Sequence, residues 1–345
     1  MGDVDKMIKA ELLYQEYLAT EGINEETGEC HAATVAVCDG TPTAAWFGGT
    51  KEKNPNVRIW FARRDGEWST SVPITPDDGE ADWNPTLFAE NGVLTLIYKS
   101  GIDEGHWYSM KSVSSDGGKT WSEPKELVPG DIGGRGPVKN QMIRLSNGAL
   151  LAPGSTEDLC DRWEAWTDCS TDNGETWKLS APVAFELPDG TICNRKEELP
   201  KDGEGLIQPA IWEDQSHDGR VYMLARTNLN WIYRSESTDF GRTWSVARPT
   251  DMPNNNSGIG AAMTDCGVLG LICNPVSENW GDRTPLCLFL SDDNGATYPV
   301  RIDLETQPEV EFSYPSIVAE GNLLHMVYTC GRKKIGYAVV RVEKN

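Results

Sequence analysis

The sequence predicts an all-β fold, a six-bladed β-propeller, from three observations. One turn motif recurs four times, six apolar strand pairs are distributed along the chain, and 34 Gly, 20 Pro and 13 Trp suit many tight turns and packed aromatics. A chain of 345 residues is long enough for two average domains. Propellers of this size fold as one unit around a ring of small sheets, so a single domain over 1–345 is expected.

The motif reads SSDGGKTW at 114–121, STDNGETW at 170–177, STDFGRTW at 237–244 and SDDNGATY at 291–298, with a shortened relative, RDGEW, at 64–68. Its chemistry is that of a staple. Asp accepts backbone hydrogen bonds within the turn, Gly supplies a positive φ, and the aromatic packs beneath the hairpin. The copies at Asp116, Asp172, Asp239 and Asp293 are 56, 67 and 54 residues apart, the spacing of scaffold elements rather than of calcium or catalytic loops.

Six pairs of apolar strands read as the two inner strands of each blade: 32–37 with 43–47, 86–89 with 93–98, 142–145 with 149–153, 210–212 with 221–225, 259–263 with 268–273, and 316–318 with 323–328. The segment 8–18 precedes the first pair and 336–342 follows the last. The N-terminal segment 1–28 is therefore expected to close the last blade, with a helix over 8–18 as the competing reading.

A formal charge of −22 opposes binding to nucleic acid or an anionic membrane, because such affinity comes from cations meeting phosphates. The opening residues carry neither a basic leader region nor an apolar run of membrane-spanning length, so a cytoplasmic location is expected. Nine cysteines without a CxxC pair read as reduced structural thiols rather than a zinc site. With no metal cluster and no nucleotide-binding glycine loop, cofactor-free chemistry is expected. The oligomeric state is left open.

In a propeller the innermost strands begin near the axis on one face, and the second strands return to that face. The expected entrances are His31, Asn84, Lys139-Asn140, Gln208, Asn256-Ser257 and Tyr314; the exits reach Thr50 and Glu52, Lys99, Ser155 to Glu157, Arg226, Asn274, and Thr329 to Arg332. Polar residues at strand ends are also ordinary turn solvation. Here proline follows Asn84, Gln208 and Tyr314 and precedes Lys139 by two positions, which restricts the local backbone. Lys99, Lys139, Arg226 and Arg283 fall on or beside this ring and could serve one carboxylate; salt bridges to the abundant acids are the alternative. Trp83, Trp107, Trp163 and Trp231 could floor the pocket by stacking on a sugar, or pack between blades.

The repeated motif resembles the Asp box, or BNR repeat, of the sialidase superfamily, and matching segments run from about residue 29 to the C-terminus. The resemblance implies an arginine triad for a sugar carboxylate, a Tyr nucleophile activated by Glu, and an Asp acid/base. Arg226 in Ala225-Arg226-Thr227 looks like the second triad arginine, Arg283 like the third, and Tyr314 like the nucleophile. Elsewhere the chain departs: His31 stands for the first arginine, Gln208 for the activating Glu, and Lys51-Glu52-Lys53-Asn54 holds no Asp. Gln cannot take the tyrosine proton.

The expectation is therefore a sialidase-like, exo-acting glycosidase that removes a terminal sialic, other nonulosonic or uronic acid. Arg226, Arg283 and Lys139 would clamp the carboxylate, Tyr314 or a water would attack, and Glu52 or His31 would protonate the leaving oxygen. Asn84, Asn140, Asn256, Lys99 and Trp83 would complete the binding surface. One alternative is a uronate lyase in which His31 removes the α-proton and Tyr314 protonates the departing oxygen. The other is a glycan-binding protein without turnover.

Overall fold

The computed structural model describes residues 8–18 and 28–344. Its local organisation begins with the repeated turns. In the first, Asp116 Oδ1 accepts the backbone N–H groups of Lys119 (3.0 Å) and Thr120 (2.9 Å) and the Ser114 hydroxyl (2.8 Å), while Oδ2 accepts the Thr120 hydroxyl (2.6 Å). Ser114 Oγ in turn accepts Gly118 N–H at 2.8 Å. The bonds from the Thr backbone N–H and the Thr hydroxyl recur around Asp172, Asp239 and Asp293. The Thr176 hydroxyl and backbone N–H hold the Asp172 carboxyl down to about 2.

These turns also join neighbouring sheets. A Cβ on Gly118 would lie 2.2 Å from the Phe61 ring of the preceding sheet, so the position admits only glycine, and its φ of +86° requires the same residue. Trp121 meets Phe61 edge-on with centroids 5.4 Å apart. Trp244 Nε1 donates to Thr167 Oγ1 at 3.0 Å, and that hydroxyl donates to Gly241 O at 2.7 Å. Trp212 Nε1 donates to Asn294 Oδ1 at 3.2 Å. The staple expected beneath a single hairpin thus binds one sheet to the next.

The fold is all-β; the one helical element among the described residues is the single turn Lys196–Glu198. The strands run as successive antiparallel meanders. The first contains Glu29–Cys38, Thr41–Gly49 and Arg58–Asp65, and the second contains Asp82–Glu90, Val93–Ser100, Tyr108–Ser114 and Lys125–Glu126. The third contains Ile143–Arg144, Leu150–Glu157, Arg162–Ser170 and Lys178–Leu179; the fourth, Glu204–Glu213, Val221–Thr227, Trp231–Ser237 and Arg248–Pro253. A two-residue parallel contact, Arg162 with Glu204 and Trp163 with Gly205, links the third to the fourth. The fifth contains Gly260–Met263, Leu269–Cys273, Leu286–Ser291 and Val300–Glu305.

The sixth meander contains Phe312–Glu320, Leu323–Cys330 and Lys334–Lys344, and its outer strand is Ile8–Tyr17 from the other end of the chain. Ile8 pairs with Lys344 and Tyr17 with Gly336, so the helix over 8–18 is not formed. Backbone bonds to the C-terminal strand override the amphipathic pattern. Glu305 of the fifth meander accepts Gln15 Nε2 (2.8 Å), Tyr17 Oη (2.8 Å) and Tyr328 Oη (2.7 Å), fixing the added strand from the side. Residues 1–7 and 19–27 of the expected closing segment lie outside the described residues.

The first strands of the meanders approach one another. Leu87 N–H donates to Thr34 Oγ1 at 3.1 Å and Val35 N–H to Ser316 Oγ at 3.3 Å, while Gln208 N–H reaches Ser155 Oγ, on the second strand of the third meander, at 3.1 Å. Buried apolar clusters fill the space between sheets; Phe47, Ile59, Leu87 and Leu96 of the first two meanders share one, and Leu288, Ile317, Met326 and Val340 of the last two share another. No helix of the described residues is long and apolar enough to cross a membrane.

Ser237 is buried and accepts Gly241 N–H at 2.9 Å. Ser237→Ala leaves that N–H unpaired and is expected to lower stability by about 1–3 kcal/mol. Urea unfolding checks this, and a loss under about 0.5 kcal/mol would remove the turn's role as a staple.

Candidate functional site

A repeated backbone irregularity builds the site. The pairing register breaks between His31 and Thr34, Trp83 and Thr86, Ile207 and Ala210, and Ser313 and Ser316, each time on the first strand of a meander. Within these bulges Ala32, Asn84, Gln208 and Tyr314 take φ values of +53°, +36°, +51° and +49°, and Asn256, just ahead of Gly260–Met263, takes +59°. Three of the four bulge residues precede proline, a position that normally favours extended backbone. Each left-handed residue costs about 1–3 kcal/mol and persists because the strands on both sides hold it. Asn84, Gln208 and Tyr314 were expected at strand entrances. They lie within strands, since pairing begins before each bulge and resumes after it.

Side chains from these bulges meet at a cavity of about 240 Å³. Gln208 Nε2 donates to Tyr314 Oη at 3.3 Å, and Arg226 Nη1 donates to both Gln208 Oε1 and Tyr314 Oη at 3.1 Å. Arg226 Nε donates to Asn256 Oδ1 at 2.9 Å. The hydrogen bonds this buried guanidinium makes with described residues all go to neutral groups, and it forms no ion pair with a described residue. Its carbon lies 5.3 Å from the Trp163 ring centroid and 5.6 Å from that of Trp280.

Two further arginines line the cavity, both paired with acids. Arg283 Nη1 meets Glu311 at 2.9 Å, and its guanidinium carbon is 5.7 Å from the Tyr314 ring centroid. Arg332 meets Glu52 at 2.6 Å and Glu311 at 3.4 Å. Burial works against Glu311 ionising, but the Ser313 hydroxyl and the two arginines outweigh it and hold the carboxyl below its ordinary value. Glu104 pairs with Lys53 at 2.8 Å. The remaining cavity carboxyl, Glu157, is half-buried and has no hydrogen bond to a described residue. Burial pushes it up to about 7, against the opposing pull of Arg226.

Two kinds of comparison bear on this arrangement. The model of the BNR repeat-like domain matches residues 40–326. The chain belongs to that family. Among solved structures the fold is similar to Hadza microbial sialidase Hz136, with a TM-score of 0.73 and 14% identity over 93% of this chain and 66% of that one. A protein of unknown function from Dyadobacter fermentans DSM 18053 has a TM-score of 0.73 and 16% identity over 97% and 99% of the two chains. Trypanosoma rangeli sialidase in complex with the inhibitor DANA has a TM-score of 0.64 and 17% identity over 91% and 55%. The chain spans just under two thirds of the first and about half of the third. No curated protein matches it. At these identities the structural likeness establishes the fold alone.

Within this BNR repeat-like chain the expected residues separate into two groups. Glu52, Trp83, Asn84, Gln208, Arg226, Arg283 and Tyr314 line the cavity, and Asn256 sits behind Arg226. His31 does not line it. The imidazole is buried beneath Tyr314, with ring centroids 4.3 Å apart, and Nδ1 shares a hydrogen bond with Thr329 Oγ1 at 3.0 Å. Burial first, then Arg332, Arg283 and Arg226, hold it well below the ordinary histidine value. It is neutral, and Tyr314 covers it.

Lys139 and Asn140 also lie below the cavity. Lys139 Nζ donates to Ile259 O at 2.6 Å, to Pro315 O and to Asn140 Oδ1, and Asn140 Nδ2 donates to Gln208 O (3.1 Å) and Pro209 O (3.0 Å). Lys139 therefore cannot clamp a ligand in the cavity while these bonds stand. Lys99 lies apart as well, its Nζ donating to Ser109 Oγ, Gly134 O and Arg135 O at 2.6, 2.7 and 3.1 Å. Burial lowers it to about 7. Both lysines are enclosed by carbonyl oxygens, which sequence position does not disclose.

Trp107 and Trp163 line the cavity with Trp83, whereas Trp231 does not and is 39% exposed. Lys53, Trp280, Arg332, Glu104 and Glu157 are the contributors given no role in the expected site. Arg332 and Glu157 closed two of the strand exits, the one signal that pointed to them.

A larger cavity of about 370 Å³ lies at the other ends of the first strands, lined by Ala36, Ala89, Ala262 and Ala319 among others. Of its charged residues, Arg144 pairs with Glu90 and Glu213 bonds Ser146, while Glu320 lies 3.4 Å from His325 Nε2. No group of three or more His, Cys, Asp or Glu placed to hold a metal ion occurs among the described residues.

The raised Glu157 carboxyl has a stability consequence. The unfolded chain releases this proton near pH 4.3 and the native chain near 7, so stability falls as pH rises between those values. Glu157→Gln is expected to be more stable than the wild type at pH 8 by on the order of 1–3 kcal/mol and equal to it at pH 4. Denaturant unfolding at the two pH values checks this.

Proposed function

We propose that the six meanders are the blades of one six-bladed propeller spanning the chain, and that its 240 Å³ cavity cleaves a terminal acidic sugar from a glycan by hydrolysis. The observation that carries the reading is Arg226. A buried guanidinium with only neutral hydrogen-bond partners among the described residues, in a chain of net charge −22, retains its attraction for an incoming carboxylate. Arg283 and Arg332 add positive charge on the same cavity, partly offset by Glu52 and Glu311.

In this reading the sugar carboxylate lies against Arg226, and the neighbouring Tyr314 hydroxyl faces the anomeric carbon. The tryptophans supply flat apolar walls for the ring. Glu52, paired with Arg332, keeps that arginine oriented rather than donating a proton. The chemistry requires no cofactor. Both nonulosonic and uronic acids present the required carboxylate, and Trypanosoma rangeli sialidase, similar in fold, has been captured with sialic acid.

Gln208 supports a second reading. Its amide donates to Tyr314 Oη and offers no base for the phenol proton, which favours a reaction that leaves Tyr314 protonated, such as β-elimination from a uronate. His31, the base expected for it, is covered by Tyr314, so elimination would need another base. Hydrolysis remains the better supported reading.

Mass spectrometry after incubation with sialylated and uronate-capped oligosaccharides distinguishes the readings. A released acidic sugar that has gained water is expected; an unsaturated product would establish elimination, and binding without either product would establish a glycan-binding protein. Arg226→Lys, which keeps the charge but loses the planar fork, is expected to weaken binding by about 2–5 kcal/mol, measured as KM or by calorimetry.

A further inference from the structure

We propose that Glu157 is the proton donor of this site, the acid that protonates the glycosidic oxygen as it leaves. The inference rests on the glycoside-cleaving reading above and goes beyond it by assigning the acid. Three carboxyls line the cavity: Glu52, Glu104 and Glu157. Arg332 Nη1 holds Glu52 Oε2 at 2.6 Å, and Lys53 Nζ holds both oxygens of Glu104 at 2.8 and 3.0 Å. A carboxyl gripped by a cation is kept as its anion, whereas a general acid must retain its proton until the leaving group takes it. Of the three, Glu157 alone has neither a hydrogen bond nor an ion pair with a described residue.

Its placement is also fixed. Glu157 ends the strand Leu150–Glu157 and pairs in register with Trp163, whose ring lies 5.3 Å from the Arg226 guanidinium carbon. The acid and the proposed carboxylate anchor therefore belong to one cavity wall. The charged groups that bear on Glu157 are Arg226 from the fourth meander, Glu104 from the second, Lys53 from the first and Asp161 from its own turn. Arg226 and Lys53 favour ionisation, Glu104 and Asp161 oppose it, and burial outweighs them all, leaving the carboxyl protonated up to about pH 7.

The step balances. Glu157 gives its proton to the glycosidic oxygen while the bond from that oxygen to the anomeric carbon breaks, the electron pair leaving with the oxygen. Water then adds to the anomeric carbon and gives a proton to the Glu157 carboxylate. One water is consumed and the acid is restored, with no proton taken from Tyr314.

Leaving-group dependence tests the assignment, using the nitrophenyl and the saccharide-linked glycosides of sialic acid and of glucuronic acid. A nitrophenolate departs without protonation, and a sugar alkoxide does not. Glu157→Gln is expected to lower kcat on the saccharide-linked substrate by about 10²–10⁴-fold and on the nitrophenyl substrate by less than about 10-fold. The alkaline limb of the kcat profile, near pH 7 in the wild type, should vanish, and Glu157→Asp should restore part of the saccharide activity.

Equal losses on the two substrates, or an unchanged alkaline limb in Glu157→Gln, would overturn the assignment while the glycosidase reading stands. If Glu157→Gln does not fold, the shift of the alkaline limb in Glu157→Asp decides in its place; an unmoved limb would overturn the assignment. A wild type that turns over none of the four glycosides would overturn the glycosidase reading and the assignment together.

Discussion

The site depends on a left-handed bulge repeated near the head of the first strand in four meanders. An ordinary strand alternates its side chains between two faces and would send successive residues into the sheet interfaces. One extra residue at positive φ breaks that alternation. In the fourth and sixth meanders it sends Gln208 and Tyr314 toward the same point, where their polar ends are 3.3 Å apart. The following proline cannot donate to the ladder, so the register has to step at the place where the side chain must turn inward. Two buried residues then hold these bulges from below: Asn140 bonds the carbonyls of Gln208 and Pro209, and Lys139 bonds that of Pro315.

This support explains why buried cations occur in a chain so rich in acid. Bulges turn carbonyl oxygens away from their ladder partners, and a buried carbonyl without a donor costs about 1–3 kcal/mol. An ammonium brings three donors on a flexible stem and can serve several carbonyls at once. Lys139 does so for the carbonyls of Ile259 and Pro315, and Lys99 does so for the loop carbonyls of Gly134 and Arg135. The same reasoning places His31, a neutral ring packed under Tyr314, among the supports of the site.

Much of this was legible in the sequence, for reasons that differ by residue. The strand pairs were legible because apolar runs punctuated by Asp-Gly or Asn-Gly turns leave few other registers. Gln208, Tyr314 and Asn84 stood out because each is polar, precedes proline and adjoins an apolar strand, a combination with little use in an ordinary hairpin. Arg226 followed from the phase of the repeat. Arg332 and Glu157 emerged only as strand exits, and Lys53, Glu104 and Trp280 did not emerge, because they sit on turns or at a strand end, and their position over the cavity depends on how neighbouring sheets are set around it. Lys99 and Lys139 were misread for the complementary reason: a scarce cation beside a predicted pocket has the same sequence signature whether it faces a ligand or a cage of carbonyls. The strand at Ile8–Tyr17 shows a third limit, since its partner is more than 300 residues away and its local pattern fits a helix equally well.

Two populations of carboxyl show how one residue chemistry is divided between scaffold and site. In the repeated turns every Asp is surrounded by donors, chiefly a Thr hydroxyl and backbone N–H groups, and its proton is lost at low pH; charge there is a fixed part of the staple. At the cavity Glu157 meets burial without donors and keeps its proton to about pH 7. Glu52 and Glu311 are instead paired with Arg332 and Arg283. An entering sugar carboxylate would compete with them for the same guanidinium groups, but not at Arg226, which no described carboxylate occupies. The cavity thus combines arginines paired with acids, an arginine whose hydrogen bonds to described residues go only to neutral groups, and an acid without a cation partner among the described residues. On the proposed reading such an arrangement would bind an anion and retain a transferable proton in the same 240 Å³, a combination that uniform pairing of these charges would abolish.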